Sequence, residues 1–314
     1  MSFWIIPIVL AGIAVLILIG ALICFFMAFY SPKRKPLEKD EYAIPNGSIY
    51  EPYRDEMVGW MKENRARPRE MFSIKSFDGL TLRGIYYEYE KGAPIELMFH
   101  GYRGTSERDL CGGVRRCFAL GRSALMIDQR ASGESEGNVI SFGINEHKDC
   151  LRWVDFAISH FGKDCKLMLT GISMGAATVL MAAGHSLPEN VIGVLADCGY
   201  SSPKAIIKKV IRDMKLPADL LYPLVKLGAR LYGGFDLEET SAEEAMKTCS
   251  VPVIFVHGDA DDFVPYQMSK DMYEICTSKK KLITVEGVGH GLAYPADKEG
   301  YIEAVRSFKD EGGY

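Results

Sequence analysis

Three short stretches combine residue types and spacings suited to covalent chemistry: a serine between glycines, a histidine between glycines, and a cluster of aspartates. Gly171-Ile172-Ser173-Met174-Gly175 follows the apolar run Leu167–Thr170 and precedes the small-residue run Ala176–Ala183. That context reads as strand, sharp turn and helix. The glycines relieve crowding at the turn, and the helix N-terminus points its free N–H groups at the reaction. Gly133-Glu134-Ser135-Glu136-Gly137 fits the same pattern. It lies several residues past its strand, opens no obvious helix and flanks its serine with glutamates, so it reads as a polar turn. Ser173 is therefore the candidate nucleophile.

A serine hydroxyl attacks well only when a base removes its proton and a third group orients that base. Gly289-His290-Gly291 follows the last apolar run, Leu282–Val285, and His290 is the candidate base. Asp259, Asp261 and Asp262 all crowd the carboxyl end of the run Val253–Val256, and spacing leaves the choice among them open. Stabilising an oxyanion takes two backbone N–H donors. Met174, the residue after the nucleophile, supplies one. The loop His100-Gly101-Tyr102-Arg103-Gly104 after Ile95–Phe99 supplies the other from Tyr102. The side chains of His100 and His257 are expected to brace their loops, and His147, His160 and His185 receive no role. No metal-ligand set or dinucleotide fingerprint occurs in the sequence, so neither metal nor cofactor is expected.

Such residues need a scaffold that gathers strand ends. Met71–Phe77 and Leu80–Tyr89 flank Asp78-Gly79, a strong hairpin signal. Short apolar runs then recur at Ile95–Phe99, Ala124–Ile127, Leu167–Thr170, Ile192–Ala196, Val253–Val256 and Leu282–Val285. Helical stretches are expected at Glu107–Leu120, Asn145–His160, Gly175–Gly184, after Ser202, and at Gln267–Cys276 and Lys298–Lys309. A hairpin followed by strand–helix repeats predicts an α/β fold with a doubly wound, mostly parallel sheet, whose sites form at strand carboxyl ends. The long interval between Ala196 and Val253 predicts an inserted helical lid at about 203–235. In its first helix Ile206, Ile207, Val210, Ile211 and Met214 share one face, and Lys204, Lys208, Arg212 and Lys215 share another. The basic face reads as a solvated lid surface, with contact to anionic lipid as the alternative.

The N-terminus differs sharply from the rest. From Phe3 to Tyr30 there is no charged residue. A helix of that length spans roughly 40 Å, enough to cross a hydrocarbon core of about 30 Å. Trp4 and Tyr30 lie near its ends, and Lys33-Arg34-Lys35 follows, which predicts a single-pass anchor at 1–30 with the body on the cytoplasmic side of the cell membrane. Residues 31–70 read as a linker and a lead-in helix with Met57, Trp60 and Met61 at helical spacing, and 71–314 as the main domain. The balance of 37 basic against 41 acidic residues argues against a nucleic-acid binder. The 8 cysteines show no paired spacing and read as free thiols in a reducing compartment.

From about Met71 to Phe308 the chain resembles an α/β-hydrolase of the serine-hydrolase type. The carriers are Gly-Ile-Ser-Met-Gly around Ser173, His-Gly-Asp-Ala-Asp-Asp-Phe-Val-Pro from His257 to Pro265, Gly-Val-Gly-His-Gly around His290, and His100-Gly101. Asp128 to Gly137 is similar to the family's Asp-x-Arg-Gly-x-Gly-x-Ser-x-Gly loop, with Ala131 in place of a glycine. The resemblance implies Asp261 as the acid, third after His-Gly and three before Val-Pro. It is to the esterase and monoacylglycerol-lipase-like branch and to the serine-aminopeptidase-like branch. The expected function is hydrolysis of an amphiphilic or lipid-like acyl ester through an acyl-enzyme. The alternatives are a serine aminopeptidase or amidase with the same triad, and an inactive membrane-bound binding protein.

Overall fold

The computed structural model describes residues 5–33, 38 and 40–313; Trp4, Arg34 and Lys35, singled out above, lie outside them. Helix α1 (Ile5–Ala28) carries no acidic residue in its first turn and no basic residue in its last. It is long and apolar enough to cross a membrane, a test that a signal sequence also passes. Only Ala21 and Phe25 of this helix are buried. After it, a 3₁₀ turn at Ser48–Tyr53 leads into α2 (Arg54–Ala66), which buries Met57, Trp60 and Met61 as their spacing predicts. The stretch expected as linker packs on the body, with Ile44 and Tyr50 both buried.

Strands β1 (Glu70–Lys75) and β2 (Thr81–Tyr87) form the hairpin at Asp78-Gly79, where Gly79 takes φ 93° and Ser76 Oγ donates to Asp78 at 2.6 Å. Strand β3 (Ile95–Phe99) is buried along its whole length. The single helix expected next is two, α3 (Ser106–Asp109) and α4 (Gly113–Ala119). The break spans residues 110–112 and ends on the pair Gly112-Gly113, poor helix formers whose bare backbone lies against Trp60 and Met98. Then come β4 (Ser123–Asp128), α5 (Glu146–Phe161), β5 (Leu167–Ile172), α6 (Met174–Ala182) and β6 (Val191–Asp197).

The insertion holds α7 (Pro203–Asp213), α8 (Ala218–Gly228), a π-helical turn at Ala229–Gly233 and α9 (Ala242–Met246). In α7 Ile206, Ile207 and Ile211 are buried as expected, but Met214, just past the helix, is exposed. Its basic face is partly neutralised: Lys204 pairs with Glu238 at 3.1 Å and Lys208 with Asp219 at 2.6 Å. That pairing favours an ordinary lid surface over a free cationic face. The chain closes with β7 (Val253–Gly258), α10 (Tyr266–Ile275), β8 (Lys280–Val285), α11 (Ala293–Ala296) and α12 (Lys298–Asp310).

The sheet order is β1-β2-β4-β3-β5-β6-β7-β8. The β1–β2 and β2–β4 pairings are antiparallel, so β2 alone among these eight strands runs against the rest, and the other pairings are parallel. Helices cover both faces, which is why the central strands read as continuous apolar runs rather than alternating ones. An exception inside that core is Glu96 of β3, fully buried and bound by Arg116 at 2.5 Å, Arg122 at 3.3 Å and Thr170 at 2.6 Å. Burial opposes its charge, but the two guanidiniums outweigh that and hold its carboxyl down at about 2. The carboxyl ends of β3, β5, β6 and β7 converge, and the site lies there.

Candidate active site

At the end of β5 the chain reverses into α6 within one residue. Ser173 takes φ 56° and ψ −117°, a conformation costly for a residue with a side chain. The turn closes only because its neighbours are glycines. A Cβ on Gly171 would sit 2.1 Å from the Gly175 carbonyl, and one on Gly175 would sit 2.0 Å from Phe99 O. The backbone is pinned by Ser173 N donating to Asp197 O at 2.8 Å.

Ser173 Oγ lies 2.9 Å from His290 Nε2, and His290 Nδ1 lies 2.6 Å from Asp261 Oδ2. Asp261 Oδ1 accepts from Phe263 N and Val264 N, each at 2.9 Å. Burial pushes this carboxyl up, but hydrogen bonds from His257 and His290 win and hold it well below the usual carboxylate range. An ionised carboxylate can only accept, so His290 carries its proton on Nδ1 and leaves Nε2 to accept from the Ser173 hydroxyl. Asp259 and Asp262 are not part of this chain. Asp259 caps the amide of Gly287 at 2.7 Å, and Asp262 is exposed, its main-chain oxygen taken by Lys209.

His257, fully buried, places Nε2 3.0 Å from Asp261 Oδ2 and 2.9 Å from Val264 O, while Ser269 Oγ meets its Nδ1 at 2.7 Å. It braces its loop as expected and also grips the aspartate. His100 likewise braces: its Nδ1 donates to Gly101 O at 2.7 Å and its Nε2 accepts from Gln129 N at 3.0 Å. Gly101 lies directly beside Ser173, which puts the Tyr102 loop at the serine. Among the described residues neither the Tyr102 amide nor the Met174 amide is spent on a hydrogen bond. The Tyr102 hydroxyl donates to Ala28 O of α1 at 2.8 Å, and Arg103 donates to Met27 O at 3.0 Å and Tyr30 O at 2.9 Å.

Ser135 is elsewhere and otherwise engaged. Its hydroxyl donates to Asp128 O at 2.5 Å and accepts from Arg83 N at 2.8 Å. Three neighbours of the site escaped the sequence reading. Tyr50 holds the His290 carbonyl at 3.0 Å. Cys198 places Sγ 4.0 Å from His290 Nε2, and burial pushes its thiol well above the ordinary value. Asp197 is buried with Oδ1 unpartnered, and burial pushes its carboxyl up to about 6. The carboxyl-end rule could have flagged the last two, since both stand at the end of β6. Ligand atoms of Cys198, Asp261 and His290 lie within 4.8 Å of one another. Both His290 nitrogens are already committed to Ser173 and Asp261, so a cation would have to break that chain.

Residues 222–298 match the family described as serine hydrolase (FSH1). An uncharacterized Bacillus subtilis protein, YqkD, is 27% identical over 192 residues, which cover 61% of this chain and 63% of that one. The lysophosphatidylserine lipase ABHD12 of Danio rerio is 25% identical over 63% of this chain and 51% of its own. Among solved structures, the Pyrococcus furiosus esterase Pf2001 superposes with a TM-score of 0.65, at 17% identity, covering 90% of this chain and 98% of its own. Sheet order and superposition agree on the α/β-hydrolase fold.

Proposed function

We propose that this α/β-hydrolase is a serine hydrolase that cleaves carboxylic esters of amphiphilic, lipid-like acyl groups while held in the cell membrane by α1. The observation that carries the reading is the hydrogen-bonded chain Ser173–His290–Asp261 on a strained turn, beside two amides left free. The match to a serine-hydrolase family and the esterase among the solved structures support the same chemistry.

In this mechanism Ser173 Oγ attacks the acyl carbon as its proton passes to His290 Nε2. The carbonyl oxygen becomes an oxyanion held by the Tyr102 and Met174 amides. His290 then protonates the departing alkoxide, leaving an acyl group on Ser173. Water, deprotonated by the same nitrogen, releases the acid and restores the serine. Asp261 fixes the His290 tautomer and balances the imidazolium that forms twice per cycle. No step calls for a metal or cofactor. The basic residues after α1 favour a single-pass topology with the body in the cytoplasm, and α1 at the membrane favours a substrate that concentrates there.

The test is labelling of membrane fractions with a fluorophosphonate, comparing the native protein with Ser173→Ala and Ser135→Ala. Labelling lost only in Ser173→Ala is expected; persistence in that variant would sink the assignment. A panel of aryl esters, acylglycerols and aminoacyl arylamides separates esterase from amidase, and preferential arylamide cleavage would overturn the ester reading.

A further inference from the structure

Helix α1 is more than a tether. Its last turns are built into the hydrolase body: Phe29 is fully buried, edge-on to Phe142 at 5.8 Å and to Phe235 at 5.3 Å. Beyond it, Ile140 N donates to Phe29 O and Ser31 N to Asn138 O, each at 2.8 Å. Further back, α1 runs against the insertion. A Cβ on Gly228 of α8 would sit 2.4 Å from Ala21 O, so the two backbones touch there. Leu224 packs over Gly20, and the Tyr232 hydroxyl reaches Leu18 O at 3.2 Å.

Those contacts set a depth. Filling a hydrocarbon core of about 30 Å takes roughly 20 helical residues. Toward the C-terminal end of α1, Ile19, Ile23, Phe26 and Met27 are still 49–57% exposed, so acyl chains must cover that level of the helix too. The insertion meets α1 at that same level, from Leu18 to Phe25, so the layer that covers the helix overlaps the insertion. The body cannot slide down the helix to avoid this overlap, because Phe25, Phe29 and Ser31 are fixed to it. The surface caught in the overlap suits lipid. Leu220, one turn from Leu224 on α8, is 71% exposed, and Leu231 in the π-helical turn is 51% exposed. Arg230 between them is long enough to carry its charge back to the headgroups.

We infer that the end of the insertion formed by α8 and the π-helical turn is seated in the headgroup–acyl boundary of the bilayer, with Leu220 and Leu231 in contact with acyl chains. This rests on the reading of α1 as a membrane span. A depth of 5–10 Å is what interfacial amphipathic segments reach. The seat places the lid in the same layer as the ester bond of a membrane lipid, which narrows the substrate to esters drawn from the bilayer rather than from solution.

The test uses the full chain in phosphatidylcholine vesicles, with Trp4→Phe to remove one background signal. Trp60 and Trp153 are buried in the body and stay constant. Leu231→Trp, and separately Leu220→Trp in case the first fails to fold, are compared in ordinary and dibrominated phosphatidylcholine. Tyr89→Trp, on an exposed residue near the amino ends of the parallel strands, is the control. The expected result is quenching of the added emission by about twofold or more at 220 and 231, and none at 89. Alkaline carbonate extraction is run on the same vesicles. Protein that resists carbonate but shows no quenching at either lid position would overturn the lid seat and leave the anchor standing. Protein released by carbonate would overturn the anchor reading, and the lid seat with it.

Discussion

Two loops in this chain share the pattern Gly-x-Ser-x-Gly, and both abut an aspartate that ends a strand. In the loop after β4 the serine and the aspartate are both fully engaged. Ser135 ties Asp128 O to Arg83 N, while the Asp128 carboxylate accepts from Ser106 N at 2.8 Å and Glu134 N at 3.0 Å. In the loop after β5 the accounts stay open. Ser173 sits in a strained conformation, its hydroxyl faces an acceptor nitrogen, two nearby amides are unspent, and Asp197 keeps an unpartnered oxygen. The first arrangement is what stability asks of a buried turn. The second stores unsatisfied potential where a reaction could use it. The same five-residue pattern thus serves opposite ends.

Substitutions can break this contrast. The largest effect is expected from Ser173→Ala, a loss of about 10⁶-fold in kcat with an esterase substrate. Ser173→Gly should lose as much activity while raising stability by about 1 kcal/mol in a denaturant titration, because glycine relieves the strained turn. Asp261→Asn should cost about 10⁴-fold in kcat with folding intact, since the asparagine favours the wrong His290 tautomer.

Asp197 adds a pH signature. Its folded value of about 6 lies above its ordinary value of 3.8, so its proton favours the folded state. That contribution is complete below about pH 4 and is lost as pH rises to about 6. Asp197→Asn should therefore flatten the stability profile across that window, by at most about 3 kcal/mol. An unchanged profile would show that burial does not hold the Asp197 carboxyl up. The smallest effect belongs to Ser135→Ala: a loss of about 1–2 kcal/mol in stability, because Arg83 N loses its acceptor, with kcat unchanged. If Ser135→Ala instead destroyed activity, the contrast would be reversed.

The parallel strands were legible because helices cover both their faces, leaving apolar runs such as Ile95–Phe99 that match the observed strand end to end. Ser173 and His290 could be found because each stands at a strand's carboxyl end between glycines. Asp261 needed a family resemblance, since three carboxylates share one loop and only packing reveals that Asp261 turns inward. The break between α3 and α4 was missed because apolar spacing continues across Gly112-Gly113, whose packing against Trp60 is a long-range contact. Tyr50 and the buried end of α1 were missed for the same reason: contacts between segments far apart in sequence leave no local period to read.

Arg103 and Tyr102 spend their side chains on the last two carbonyls of α1 and on Tyr30 O just past it, while the backbone of that same loop faces Ser173. The apolar helix and the candidate active site are therefore joined through one loop. Removal of α1 with Phe29 and Tyr30 would therefore disturb the loop beside Ser173. It would strip three acceptors from the loop and bare the seat of Phe29, so on the reading of α1 as an anchor and Ser173 as the nucleophile, release and loss of activity are expected together.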